Sequence, residues 1–284
     1  MTYNTKMLGL VTLYNPNPQE ASSNIKKYID DVDALIIWDN SPLEKCLKTA
    51  ITSYLSDYAE KIIWQGDGHN YCIAPALKFA CIYAQENGYG LLLIMDQDSK
   101  WVDFVSYRRN VEEICEKEVM AFTPYVVGCD RFEIKETEQE KEIFINSGTV
   151  IPTQIIRPTD IDEKAFPLDA LDNDISLTLK EKGYKILCLT THKLDHSLGQ
   201  LQYMGPFKIL TPNYNSARTY SIIRAHVICY RKHRKSVSKE YRNYFYSEII
   251  YYRLIRIIFA EPEKWSRLKA FIKGFISGLL YKIK

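Results

Sequence analysis

The sequence predicts an α/β fold, with a mostly parallel central sheet flanked by helices and a basic helical extension at the C-terminus. Three observations predict it. Short apolar runs alternate with helix-length segments through the first hundred residues, several runs stop abruptly at polar tips, and positive charge collects in the last quarter of the chain. The runs Leu8 to Leu13 (LGLVTL), Ala34 to Trp38 (ALIIW), Lys61 to Trp64 (KIIW) and Leu91 to Met95 (LLLIM) read as short buried strands. Strands this apolar belong to a parallel sheet covered on both faces.

The intervening segments read as helices. Ile25, Ile29 and Val32 share one helical face between the first two strands. Ile73, Leu77, Ala80 and Ala84 share another, with Pro75 in the first turn and Asn87-Gly88 as the stop. Glu133 to Glu142 is a charged run expected as a loop or hairpin tip. A helix from Ile175 to Lys182 ends at Gly183 and leads into a strand from Tyr184 to Leu189. From Tyr214 onward Tyr, Arg, Ile and Lys dominate; the apolar stretch Leu254 to Ala260 is broken by Arg256 and too short to span a bilayer.

The bulk properties are those of a soluble protein: 284 residues, 46% hydrophobic and 25% charged. Seven cysteines without a CxxC pair point to reduced thiols, not to a disulfide frame or a zinc site. The start, MTYNTKMLGL, lacks a basic region followed by a long apolar core, so a cytoplasmic protein is expected. The net charge of +2 hides an asymmetry. Residues 218–284 hold 16 of the 37 Lys and Arg but 4 of the 35 Asp and Glu, leaving 21 basic and 31 acidic residues elsewhere. A basic segment seeks phosphates or an anionic surface.

The strand tips carry the candidate chemistry. The first ends in Tyr14-Asn15-Pro16, the second in Asp39-Asn40-Ser41, and the fourth in Asp96-Gln97-Asp98. Each alone is explained by turn formation. Together they set polar groups along one edge of one sheet, where open α/β folds bind ligands. Paired carboxylates there suit a hard divalent cation, which in turn grips a diphosphate. Further on, Asp169, Asp172 and Asp174 (FPLDALDND) stand before a helix, where capping accounts for one acid better than for three and a carboxylate can serve as a general base. In His192-Lys-Leu-Asp-His-Ser-Leu-Gly199, His196 can complete a metal shell begun by Asp98.

In order along the chain, VTLYNP, IIWDNSP, Asn70 leading into IAPALK, AQENGYGLLLIMDQDS, INSGTVI, the acid cluster before LKEKGYKI, HSLG and KGFISGLLYK resemble the family 2 inverting glycosyltransferases of the GT-A fold. Within them the chain most resembles the rhamnosyltransferase-like branch that builds bacterial surface polysaccharides. The resemblance implies a GT-A domain over 1–212, with a nucleotide-sugar half about 1–100 and an acceptor half about 101–212, and a basic helical region over 213–284. It implies that Thr12, Tyr14, Asn15, Asp39, Asn40, Asn70, Asp96 and Gln97 hold the nucleotide sugar. Asp98, His196 and Asp96 would bind Mn2+ or Mg2+. Asp172 falls on the catalytic base and Asp174 on the acid that orients the acceptor, while Asn146, Ser147 and Gly148 fall in the acceptor-side loop.

The sequence departs from that pattern. Cys72 replaces a glycine, Lys78 an asparagine, and Ala225 the asparagine of an Arg-Asn pair after Arg224; Ile175 stands where an aromatic residue is frequent and Thr178 where an arginine is. Donor and acceptor therefore stay open. dTDP-rhamnose leads, with a UDP-hexose or galactofuranose donor as the alternative, and the acceptor is a glycan, one linked to polyprenyl diphosphate being favoured. A nucleotidyltransferase would carry a Gly-rich basic loop after the first strand, which LYNPNPQEAS is not; a catalytically silent sugar-nucleotide-binding partner is the other competitor. The tail from Lys264 onward, with six basic residues and no acid, reads either as a packed final helix or as a helix on an anionic membrane at the inner face of the cell. No motif recommends nucleic acid as a partner.

Overall fold

The computed structural model describes residues 3–45, 47–130, 132–196 and 201–283. It divides into two compact units. The first takes Met1–Glu163 with Leu179–Ser197, the second Lys164–Thr178 with Leu198–Lys284.

The first unit is built on a sheet of β1 (Met7–Leu13), β2 (Ala34–Asp39), β3 (Ile62–Gln65), β4 (Leu91–Asp96), β5 (Ser99–Trp101), β6 (Ala121–Val127), β7 (Glu138–Glu140), β8 (Val150–Pro152) and β9 (Ile186–His196). The order is β3-β2-β1-β4-β8-β6-β9-β5, with β7 also on β9. β1 runs parallel to β2 and β4, and β2 parallel to β3, as the apolar runs demand. β8 lies antiparallel to β4 and β6, which makes the sheet mixed beyond β4. Helices α1 (Pro18–Ile25), α2 (Leu47–Tyr54), α3 (Ala74–Glu86) and α4 (Phe104–Cys115) flank it. Its core gathers alternate residues of the strands, such as Val11, Leu35, Leu93 and Phe122, with Ile25, Ile51 and the rings of Phe104 and Tyr107.

Three elements of the first unit differ from expectation. The helix after β1 stops at Ile25, and a separate 3-10 turn over Ile29–Asp31 carries the pattern on; Ile25, Ile29 and Val32 are nonetheless all buried. The charged run at 133–142 is not wholly a loop, because β7 forms on β9, and charged side chains suit a short strand of this kind. β9 runs past Leu189 to His196. Its second half alternates exposed Thr191, Lys193 and Asp195 with buried His192 and Leu194, the period of a strand covered on one face.

The second unit is helical apart from a hairpin of β10 (Gln202–Met204) and β11 (Ile209–Thr211). It holds most of α5 (Leu171–Glu181), then α6 (Ser216–His233), α7 (Lys239–Tyr244), a π-helical stretch Phe245–Tyr252, α8 (Arg253–Phe259) and α9 (Lys264–Leu280). Its apolar centre is Ile223, Val227, Phe245, Ile249, Ile257 and Phe271. α9 lies close along α6: a Cβ at Gly274 would stand 2.7 Å from Tyr220 O, and one at Gly278 2.8 Å from Val227 Cβ. Buried Glu261 ties the helices together, accepting from Arg253 at 2.6 and 2.9 Å and from Arg267 at 2.9 Å. A buried carboxylate needs such partners. Among the described residues no helix is long and apolar enough to cross a membrane.

Candidate functional site

The parallel strands end level. Thr12 of β1 stands opposite both Trp38 of β2 and Asp96 of β4, and Leu13 stands opposite Asp39. Three polar tips are thereby set on one sheet edge, and hydrogen bonds knit them together. The Gln97 side chain clasps the Tyr14 backbone, accepting from its N–H at 2.7 Å and donating to its carbonyl at 3.3 Å. Asn15, in the left-handed region (φ 46°), donates its N–H to Ser41 Oγ, and Asp39 Oδ1 accepts from the Ser41 N–H. Asn40 is buried, accepting from Trp38 Nε1 and from the Tyr71 N–H while donating to the Cys72 carbonyl. Its amide therefore braces the loop that carries Asn70, which is exposed. Asn70 Oδ1 accepts from the Cys72 N–H at 2.9 Å. Cys72, where the resembling family carries glycine, has a φ of 65°. That is the conformation glycine adopts without strain.

At the β4 tip the structure brings Asp96, Asp98 and His196 together, one ligand atom from each lying within 4.8 Å of the others. The antiparallel pairing of β5 with β9 does this, since it sets Ser99 opposite His196. His196 Nδ1 lies 2.7 Å from Ser99 Oγ and 3.5 Å from Asp98 Oδ1. Ser99 Oγ in turn accepts from Ser147 Oγ at 2.6 Å, and Ser147 Oγ accepts from the Asp96 N–H at 3.2 Å. A chain of hydroxyls thus runs from the Asp96 backbone to the imidazole and orients it. Burial pushes the Asp96 carboxyl up to about 6; His196 opposes that rise and the Asp98 carboxylate adds to it. Two crowded carboxylates beside an imidazole fit a divalent cation, whose charge would relieve their repulsion. Ser99, whose role at His196 sequence reasoning missed, stands inside the quoted DQDS motif. Ser197, Leu198 and Gly199 of the HSLG motif lie outside the described residues.

The acceptor-side candidates sit just behind. Ser147 is fully buried, its hydroxyl engaged between the Asp96 N–H and Ser99 Oγ. Gly148 has a φ of 80° and passes its carbonyl to Tyr107 Oη. Asn146 is buried, and its Oδ1 has no hydrogen-bond partner among the described residues.

In the second unit, α5 starts at Leu171 and not at Ile175, so Asp172 and Asp174 lie within its first turn, where helix dipole and acid attract. Ala170, just before, is left-handed (φ 57°), and this kink sets the entry angle of the helix. The two acids have different surroundings. Asp174 is fully buried, with Lys232 Nζ 2.9 Å from both its oxygens and His233 Nε2 2.9 Å from Oδ1. Asp172 is half-buried, and its Oδ1 accepts from the Asn173 N–H at 2.8 Å. Asp169 pairs with Arg218 at 2.9 Å. Lys232 and His233 were missed from sequence. The signal was the dense basic end of α6, RKHRK, which had to meet an acid if it was to be buried.

No family model and no curated protein matches this sequence. Solved structures do. The chain superimposes on the mannosyltransferase PcManGT from Pyrobaculum calidifontis in complex with GDP-Man and Mn2+ (TM-score 0.57, 11% identity, 98% of this chain and 76% of that one). It superimposes likewise on residues 1–349 of S. aureus TarS (TM-score 0.57, 12% identity, 95% and 81%). The fold is of the GT-A type. A third GT-A-like neighbour is GalNAc-T7 with UDP, GalNAc and Mn2+ (TM-score 0.56, 12% identity); it shares 85% of this chain, which spans half the length of that protein. In this GT-A frame the level ends of β1, β2 and β4 form the edge on which Asp96, Asp98 and His196 meet.

Proposed function

We propose that the protein is a metal-dependent glycosyltransferase that moves a sugar from a nucleoside diphosphate to a hydroxyl of a glycan, with inversion. One observation carries it: Asp96, Asp98 and His196 converge on the edge shared with Thr12 and Asp39. GDP-Man with Mn2+ in PcManGT, and UDP with Mn2+ in GalNAc-T7, support the class of donor and cofactor. Rhamnose as the sugar, a lipid-linked acceptor in surface-polysaccharide synthesis, and work at the inner face of the membrane rest on the sequence resemblance.

Asp98, Asp96 and His196 would hold the cation, with the Ser147–Ser99 chain fixing the imidazole. The chemistry the cation supplies when bound is charge neutralisation on the diphosphate. The tips at Tyr14, Asn15 and Asp39, with Asn40 bracing the Asn70 loop, bind the nucleotide. Asp172 takes the proton of the attacking hydroxyl as the bond from anomeric carbon to diphosphate oxygen breaks and the new glycosidic bond forms on the opposite face. One displacement inverts the carbon and requires no covalent nucleophile. Asp174 acts at one remove: its ion pairs hold the first turn of α5 in place.

The test is a thermal-shift panel of nucleotides and nucleotide sugars with and without Mn2+ or Mg2+, followed by donor hydrolysis. A specific donor raises the melting temperature only when the metal is present, by mass action. Stabilisation without any hydrolysis or transfer would assign a silent binding partner; no stabilisation by any nucleotide sugar would remove the transferase reading.

A further inference from the structure

The last helix has one face inside the second unit and one face outside. Arg267, Phe271, Gly274 and Gly278 recur every three or four residues and are buried, so packing against α6 is satisfied by one side alone. The opposite side is not polar, as a solvated helix face would be. Trp265 (76% exposed), Ile272 (49%), Ile276 (49%), Leu279 (45%) and Leu280 (79%) line it. Lys264, Lys269, Lys273 and Lys282 surround them, all exposed, and no acid occurs from Lys264 to the end of the chain. Beside this stripe lies a shallow, open depression of about 640 Å³ lined by Tyr220, Lys273, Ile276, Leu280 and Lys282.

We infer that the outward face of α9 is a docking surface for an anionic lipid bilayer. An apolar stripe with a tryptophan near one end sinks to the level where acyl chains meet headgroups, and lysines beside it extend their stems and place their ammonium groups among lipid phosphates. The open depression leaves room for a headgroup, with Lys273 and Lys282 for the phosphate and Ile276 and Leu280 for the first methylenes of a chain. A second copy of the chain is the poorer occupant, because an isologous contact would bring like-charged lysines face to face. The transferase reading explains why the protein would seek a membrane, but the surface itself is read from α9.

The full chain is mixed with vesicles of phosphatidylcholine alone, or of phosphatidylcholine with phosphatidylglycerol, and sedimented at low and high salt. Binding is expected only to the anionic vesicles and to weaken with salt. The variant Lys269→Glu/Lys273→Glu/Lys282→Glu, which leaves every packed side chain untouched, should bind at least about 10-fold more weakly. Trp265→Ser/Ile272→Ser/Leu280→Ser should lose binding with its melting temperature kept, since these side chains are exposed. Brominated acyl chains should quench the tryptophan fluorescence of the wild type and not that of a Trp265→Phe variant. Equal binding to neutral vesicles, or a lysine variant that binds like the wild type, overturns the inference. So does a dimer in solution that the Trp265/Ile272/Leu280 variant dissolves. None of these measurements depends on sugar transfer, so failure here leaves the transferase reading standing.

Discussion

Lys232 Nζ stands 2.9 Å from both carboxylate oxygens of Asp174, and the acid it grips is fully buried. A carboxylate so placed cannot lose its partners cheaply. Removing one member of a buried pair leaves the other uncompensated, at about 3–5 kcal/mol. Asp174→Ala should therefore lower unfolding free energy by about 3 kcal/mol or more in urea titrations. Lys232→Met, whose ammonium is partly exposed, should cost less. The double variant should show coupling between the two positions; strict additivity would deny that the pair acts as a unit.

Asp172 separates capping from catalysis. Capping needs only an oxygen that accepts from a backbone amide, which asparagine supplies, whereas a base must take a proton. Asp172→Asn is expected to keep the melting temperature and donor affinity while turnover falls at least ~10²-fold. Asp169→Asn should lose the Arg218 pair and little turnover. Near-normal turnover in Asp172→Asn would place the base on another carboxylate.

At the sheet edge, Asp98→Asn should abolish stabilisation by donor plus Mn2+ and leave the apo melting temperature nearly unchanged, because the Asp98 side chain is 44% exposed and the amide fills the same space. Ser99→Ala should act more mildly, loosening His196 and weakening metal-dependent donor binding about 10-fold or more. Unchanged metal dependence in Asp98→Asn would sink the metal assignment.

His226 makes stability depend on pH. Burial lowers its pKa from 6.5 to about 4, and its Nδ1 has no hydrogen-bond partner among the described residues. Below pH 6.5 the unfolded chain takes up a proton that the folded chain refuses until about pH 4. The contribution is thus intact above 6.5 and lost progressively down to about 4, by up to about 3 kcal/mol. Comparing urea midpoints of wild type and His226→Gln at pH 7 and pH 5 isolates it: the wild type should lose more stability over that interval. Parallel losses would show that the ring is not the source.

The parallel half of the fold was legible because a strand buried on both faces admits no polar residue until it ends. β1, β2 and β4 accordingly begin and end within a residue of the apolar runs. Asp96 and Asp98 could be named for the same reason, as polar groups at the end of such a run, whereas His196 was a candidate from the segment HKLDHSLG and the family resemblance. β9 was cut short because its second half is covered on one face, and THKLDH reads as a polar loop unless the alternation is counted. The start of α5 was set four residues late, since acids in a first helical turn look from sequence like acids before a helix. Lys232 and His233 were legible only as part of the basic cluster RKHRK: nothing local names the carboxylate, 58 and 59 residues earlier, over which that helix end closes. The glycine expected at position 72 proved to mark a backbone conformation, which Cys72 adopts with strain.

That long separation has a consequence for the protein's birth. The segment Lys164–Thr178 belongs to the second unit, yet the chain returns to the first before the rest of the second is made. On the ribosome, the strands of the first unit can pair as they emerge, while Asp174 and its apolar neighbours Phe166, Leu171 and Ile175 wait for helices not yet synthesised. A nascent chain paused before α6 would display this segment as a short, sticky insertion. It is there that a chaperone holding the unfinished protein, or a protease culling it, should find its first grip.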